Sequence, residues 1–209
     1  SHGFYYEPKL NRWEWQRARC LQTVEDLYTQ SFVLPYLVPM LENAGANVLL
    51  PRERDCQTAE IIIDNDGCLN TGSTYAERTA DKVWRQGTGK GFAHLRPQYI
   101  DFENPFKEGT FRIAETVKKG KESTAEWIPE IPQNGQYAVY VSYQTVPSSS
   151  DDALYTVYHK GGVSQFKVNQ KMGGGTWVYL GTFGFDAGKS NAYKVTLSNR
   201  SAKAGQTVT

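Results

Sequence analysis

Between Tyr137 and Tyr143 every second residue is apolar or aromatic: Tyr137, Val139, Val141 and Tyr143 share one face of an extended segment. A period of two belongs to a half-buried strand, and a helix cannot present such a row to a core. Similar runs follow at 154–158, 164–168, 176–180 and 192–197. They are separated by Gly161-Gly162, by Gly173-Gly174-Gly175 and by the stretch from Asp186 to Ser190. Short strands at regular spacing with glycine turns predict an antiparallel β-sandwich, jelly-roll-like, from about residue 110 to the end.

The first third reads differently. Val24, Leu27, Tyr28, Leu34, Leu37, Val38 and Leu41 recur at helical spacing between Cys20 and Ala44, and Gly45 follows as a C-terminal cap. The pattern predicts an amphipathic helix that buries one face. Pro35 and Pro39 each remove a backbone donor, so the helix is expected to kink or break near them. Ala46 to Leu50 and Ile61-Ile62-Ile63 read as short apolar strands around the polar Arg52 to Asp55, which makes this part an α/β unit. The residues from Cys68 to Gly91 show little periodicity and are read as an irregular connection. The expected organisation is therefore an α/β segment over 1–66, a connection over 67–109 and a sandwich over 110–209.

At 209 residues the chain can bury a substantial core. A net charge of +1, from 23 basic and 22 acidic residues, leaves no basic footprint for a phosphate backbone, and no nucleic-acid partner is expected. Its apolar runs are too short to span a bilayer, so a soluble protein without a membrane span is expected. The first residue is Ser and no charged-then-apolar leader is visible, which reads as a processed or cut chain. Cys20, Cys56 and Cys68 show no metal-type spacing, and unpaired thiols are favoured over a Cys56–Cys68 disulfide.

Two regions resemble known families. Glu25-Asp26-Leu27, the stretch from Glu42 to Val48, and Arg52-Glu53-Arg54-Asp55 resemble the zinc-dependent N-acetylmuramoyl-L-alanine amidases, in which a His-Gly precedes a helix opened by Glu. That resemblance implies His2 and Glu25 as two zinc ligands. It also implies a metal-bound water, with a pKa lowered to about 7, that attacks an amide of peptidoglycan. The strand expected before the His is absent, and an unusual insert from Tyr5 to Gln22 separates His2 from Glu25. The later His of that family, in a Ser-x-His-x-Asn setting, and its distant catalytic Glu have no counterpart here. His94 and His159 are read as ordinary solvated or hydrogen-bonded histidines, so hydrolysis by this chain alone is not expected.

Ser123 to Pro129, Gly135 to Tyr143, Tyr155 to Gly162, Val168-Asn169-Gln170 and Thr176 to Gly181 resemble the golvesin C-terminal-like module. This β-sandwich is regarded as carbohydrate-binding-like and occurs in bacterial envelope proteins often labelled xanthan lyases, where it looks like an insertion in an amidase-like domain. The overall class is then α+β, with a partial amidase-like α/β segment joined to the sandwich. Tyr140, Tyr158 and Tyr179 are candidates for sugar stacking, because flat apolar faces with a polar edge suit pyranose rings. Trp127 and Trp177 are expected in the core.

Other signals are discounted. Asp64-Asn65-Asp66-Gly67 lacks the remaining positions of a calcium loop and reads as a turn. Gly87-Thr88-Gly89-Lys90-Gly91 lacks the spacing of a phosphate loop.

The expectation is a zinc amidase-like piece of a cell-envelope protein, periplasmic or extracellular, with peptidoglycan or another polysaccharide as partner. The alternatives are a non-catalytic polysaccharide-binding or interaction module, or a xanthan lyase-like protein. A short α/β segment with uncovered strand edges also raises the expectation of a homodimer or domain swap.

Overall fold

The computed structural model describes residues 4–17, 19–21, 23–46, 48, 59–96, 99 and 103–209. The chain divides into two units, one holding residues 1–58 and 99–104, the other holding 59–98 and 105–209.

In the first unit a hairpin pairs β1 (Phe4–Glu7) with β2 (Arg12–Trp15) in antiparallel register. Its turn holds Asn11 at φ 53°, a left-handed conformation that Asn tolerates better than most residues. This hairpin occupies the stretch read as an insert. Helix α1 (Glu25–Phe32) passes into a five-residue π-helix, Val33–Leu37, and then into α2 (Val38–Asn43).

Pro35 lies inside the π turn and Pro39 in the first turn of α2, so both prolines sit where the helix changes its winding. Gly45 closes the run at φ 88°, with its N–H bonded to the Glu42 carbonyl at 2.9 Å and the Ala46 N–H reaching back to Leu41 at 3.0 Å.

The expected buried face is only partly present. Val24 and Val38 are buried, whereas Leu27, Tyr28, Phe32, Leu37 and Leu41 are exposed. An α/β layering is not seen among the described residues of this unit, where the strand pairing is the β1–β2 hairpin. The strand expected at 46–50 lies largely outside the described residues.

The second unit is the sandwich. Its longer strands are β3 (Thr74–Arg78), β4 (Arg112–Glu115), β5 (Thr124–Ile128), β6 (Gly135–Val141), β7 (Ala153–His159), β8 (Gly162–Val168), β9 (Val178–Phe185) and β10 (Lys194–Ser198). One sheet has the order β8-β7-β10-β5-β3, and all its neighbours are antiparallel. β6 and β9 form a long two-stranded ribbon, and β4 pairs with the short segments Arg85–Gln86 and Thr207–Val208.

A shared core joins these sheets. Tyr155 and Val157 of β7, Leu197 of β10 and Ala125 of β5 meet Tyr137 and Val141 of β6, Leu180 and Phe185 of β9, and Ala114 of β4. Tyr137, Val141 and Tyr143 are buried and Val139 packs against the same cluster, so the inward face read from the alternation is the one observed.

At the centre of the polar interior, Gln170 is fully buried. Its amide donates to Tyr155 Oη at 3.0 Å and to the Thr209 carbonyl at 2.7 Å, and it accepts from the Thr209 N–H at 2.9 Å. An unsatisfied amide in that position would cost about 1–3 kcal/mol.

Strand β3 falls within the stretch 67–109 expected as a connection. Its inward residues are Tyr75, which packs on Trp127 with ring centroids 5.5 Å apart, and Glu77, which is bonded to Arg112. A carboxylate in the inward row hides the alternation from a hydrophobicity reading.

The glycines of the 87–91 run have a packing reason. Gly91 and Gly109 exchange backbone hydrogen bonds at 2.8 and 3.0 Å, and a Cβ on Gly91 would lie 2.0 Å from the Thr110 carbonyl oxygen. Close backbone approach, not phosphate binding, selects glycine there. Asp64 to Gly67 forms the turn of a small hairpin, in which Asp64 Oδ1 accepts from the Asp66 N–H at 2.9 Å while Asp66 accepts from Thr110.

Candidate glycan-binding site

Alternation places half the residues of β6 and β9 on the solvent side, and a bulge decides which aromatics meet there. The register runs Val139 opposite Gly181 and then Tyr140 opposite Tyr179, so Leu180 is the extra residue. A bulge of this kind re-aims the side chains that follow it. Leu180 turns into the core, and Tyr140 and Tyr179 become a cross-strand pair with ring centroids 5.3 Å apart and planes at 49°. Tyr179 is 48% exposed, and its hydroxyl shares a 2.8 Å hydrogen bond with the Thr182 hydroxyl.

Beside this pair runs an open groove of about 460 Å³. Tyr179 forms one wall with Val178 and Leu180, Phe166 to Asn169 form the other, and Tyr143, Met172 and Gly173 close its end. The groove therefore follows the open side of the sandwich between edge strands β8 and β9. Tyr143 Oη donates to the Met172 carbonyl at 2.8 Å, which fixes the loop carrying Met172, and Asn169 Oδ1 accepts from the Lys171 N–H at 3.1 Å. An apolar floor, an exposed aromatic wall and polar groups from Lys167 and Asn169 suit an amphipathic sugar ring.

Tyr158 does not join this group. It stands on the outer face of the five-stranded sheet, with Lys194 Nζ 5.5 Å from its ring centroid, so that ring face already has a cationic partner. The tryptophans divide. Trp127 is half-buried against the core as expected, but Trp177 is 42% exposed, its ring edge-on to the buried Phe92 at 4.8 Å and to Phe106 at 5.7 Å. It precedes β9, outside the alternation, which is why the inward reading fails for it.

Of the two residues expected as zinc ligands, His2 lies outside the described residues. Glu25 opens α1, is exposed, and pairs with Arg17 at 3.8 Å. Among the described residues no group of three His, Cys, Asp or Glu side chains is placed to hold a metal ion. His159 is a structural hydrogen-bonding residue. Its Nδ1 accepts from the Gly161 N–H at 3.1 Å and its Nε2 lies 3.0 Å from Ser164 Oγ, a set that pins the β7–β8 hairpin. Cys20 and Cys68 are free and exposed, and Cys56 lies outside the described residues. No described helix is long and apolar enough to cross a membrane.

Tyr75, Glu77 and Arg112 form a hydrogen-bonded cluster on the inward side of β3 and β4. Tyr75 Oη donates to Glu77 Oε1 at 2.7 Å, and Arg112 grips both Glu77 oxygens at 2.6 and 3.0 Å. Burial and then the Glu77 hydrogen bond push the Tyr75 phenol above its ordinary range. Burial alone would raise Glu77, but bonds from Arg112 and Tyr75 hold its carboxyl low. The Tyr75 phenol is thereby held protonated, as a hydrogen-bond donor within this cluster.

Residues 106–209 match the family model described as the Golvesin C-terminal domain. Over 81 residues the chain is 33% identical to a xanthan lyase of Bacillus sp. (strain GL1), an alignment that takes in 39% of this chain and 8% of that protein. The solved structure of a Paenibacillus xanthan lyase aligns with 68% of this chain and 13% of its own, at 22% identity and a TM-score of 0.41. The chain thus corresponds to a small part of either relative. Residues 106–209, the part that matches the golvesin C-terminal model, supply most of the strands of the antiparallel β-sandwich.

Proposed function

We propose that the sandwich is a polysaccharide-binding module of a secreted or cell-envelope protein, and that it binds without performing chemistry of its own. The observation that carries this reading is the exposed Tyr179, paired with the half-buried Tyr140 and lining the groove along β9. Aromatic faces gain most from the C–H faces of a pyranose, and the Tyr179 and Thr182 hydroxyls offer polar contacts at the rim. The likeness to xanthan lyases supports a polysaccharide partner and makes xanthan the first ligand to test. The peptidoglycan amidase reading has no supporting observation among the described residues.

The test is calorimetric titration of the full chain with oligosaccharides cut from xanthan. Tyr179→Ala should weaken binding about tenfold, the loss of about 1.4 kcal/mol that one aromatic contact supplies, while its melting temperature stays near that of the parent chain. Equal affinity in the two proteins would remove Tyr179 from the site.

A further inference from the structure

Trp177 stands 42% exposed immediately before β9, and the groove does not include it. A single exposed aromatic on a surface needs no explanation. Trp177 is not single. Two residues on, Tyr179 is 48% exposed and paired with Tyr140, and the exposed Met172 closes the end of the groove that Tyr179 lines. Val178, between the two rings in sequence, packs against the core. Two residues of extended chain span at most about 7 Å, so the indole and the Tyr179 phenol follow one another along the same short run of backbone.

The indole is held in place before any ligand arrives. It meets the buried Phe92 and Phe106 at 62° and 70°, with ring centroids 4.8 and 5.7 Å away. The loop that delivers it is pinned to the chain leaving β6: the Gly175 N–H donates to the Tyr143 carbonyl at 2.8 Å, and a Cβ on Gly174 would lie 2.4 Å from the Thr145 nitrogen. Gly173 and Gly175 take φ of 74° and 73°, which glycine adopts without strain. Any apolar side chain could cover Phe92 and Phe106. The indole adds a flat face and an N–H that no described residue accepts. A ring fixed in this way loses little freedom when a ligand stacks on it.

We propose that Trp177 is a second stacking subsite beside Tyr179, and that the ligand is at least two consecutive sugars of a linear saccharide lying along the start of β9, an inference that rests on the polysaccharide-binding reading. One sugar stacks on Tyr179, with the Tyr179 and Thr182 hydroxyls at its rim. Its neighbour stacks on Trp177, whose indole N–H donates to a sugar oxygen. The second contact forms at the high effective concentration that the first provides, so two weak contacts on one saccharide reinforce each other.

The experiment varies ligand length. In calorimetric titration of the full chain with pieces of xanthan from a single sugar upward, affinity should rise about tenfold once a piece reaches both rings, the value of one further aromatic contact. Trp177→Ala should lose that rise and bind long pieces as weakly as the parent binds short ones. Because this substitution uncovers Phe92 and Phe106, a second variant, Trp177→Phe, keeps a ring over them. Saturation with a long piece should shift the tryptophan emission of the parent to the blue, and that shift should be absent from Trp177→Phe. The same rise with length in the parent and in Trp177→Ala, or an emission shift that survives in Trp177→Phe, overturns this proposal and leaves the polysaccharide-binding reading standing. Binding of the parent to no piece overturns both.

Discussion

The sandwich and the helical unit differ in how they treat apolar surface. In the sandwich the inward residues meet across two sheets, and Tyr155, Val157, Leu197 and Val208 are almost fully buried. In the helical unit Leu27, Tyr28, Leu37 and Leu41 stand 42–62% exposed, although they lie at the right spacing for a core. Amphipathic periodicity therefore records a face built to be covered, but not whether the described fold covers it. The sandwich needs nothing further to explain its strands, whereas the helices bury little beyond Val24 and Val38.

The largest expected effect tests that contrast. Leu197→Ala should cost about 2–5 kcal/mol in urea denaturation, the loss of a buried leucine plus its cavity. Leu27→Ala should change stability by no more than about 0.5 kcal/mol, as at other surface positions. If the two substitutions cost the same, the face of α1 is covered in solution and the contrast fails.

A smaller effect concerns pH. Burial, joined by the nearby charge of Asp66, raises the Asp64 carboxyl from 3.8 to about 7, against the pull of backbone hydrogen bonds. Between those values the folded chain holds a proton that the unfolded chain has released. The contribution of Asp64 to stability is therefore full below about pH 3.8 and is lost as pH rises to about 7. Asp64→Asn, which keeps an acceptor for the Asp66 N–H, should flatten that part of the stability profile measured by thermal melts from pH 4 to 8. An unchanged profile would mean that Asp64 titrates as an ordinary carboxyl.

The parts of the fold legible in the sequence are those where one physical period dominates. β6 is readable because Tyr137, Val139, Val141 and Tyr143 are all apolar on one side. β3 is not, because its inward row pairs Tyr75 with Glu77, whose charge is satisfied by Arg112 from another strand. The site was legible by half. Alternation identifies Tyr140 as outward, but the bulge at Leu180 that sets Tyr179 beside it has no mark in the sequence. Alternation also gives a face and not a sheet, so Tyr158 could be read as outward without showing that it stands with Lys194 rather than with Tyr140. The ion pairs of Glu126 carry no mark in the sequence either: its two cationic partners lie 48 residues before it and 68 after it in the chain, and only the strand order brings them together.

The most direct test of the central claim is a two-dimensional NMR titration of the isotope-labelled full chain with the oligosaccharides. The account predicts that the backbone signals of Tyr140, Tyr179, Thr182, Asn169 and Met172 move in a saturable way while those of Leu27, Phe32 and Leu41 stay in place. Shifts confined to the helices, with the β9 signals unmoved, would contradict it.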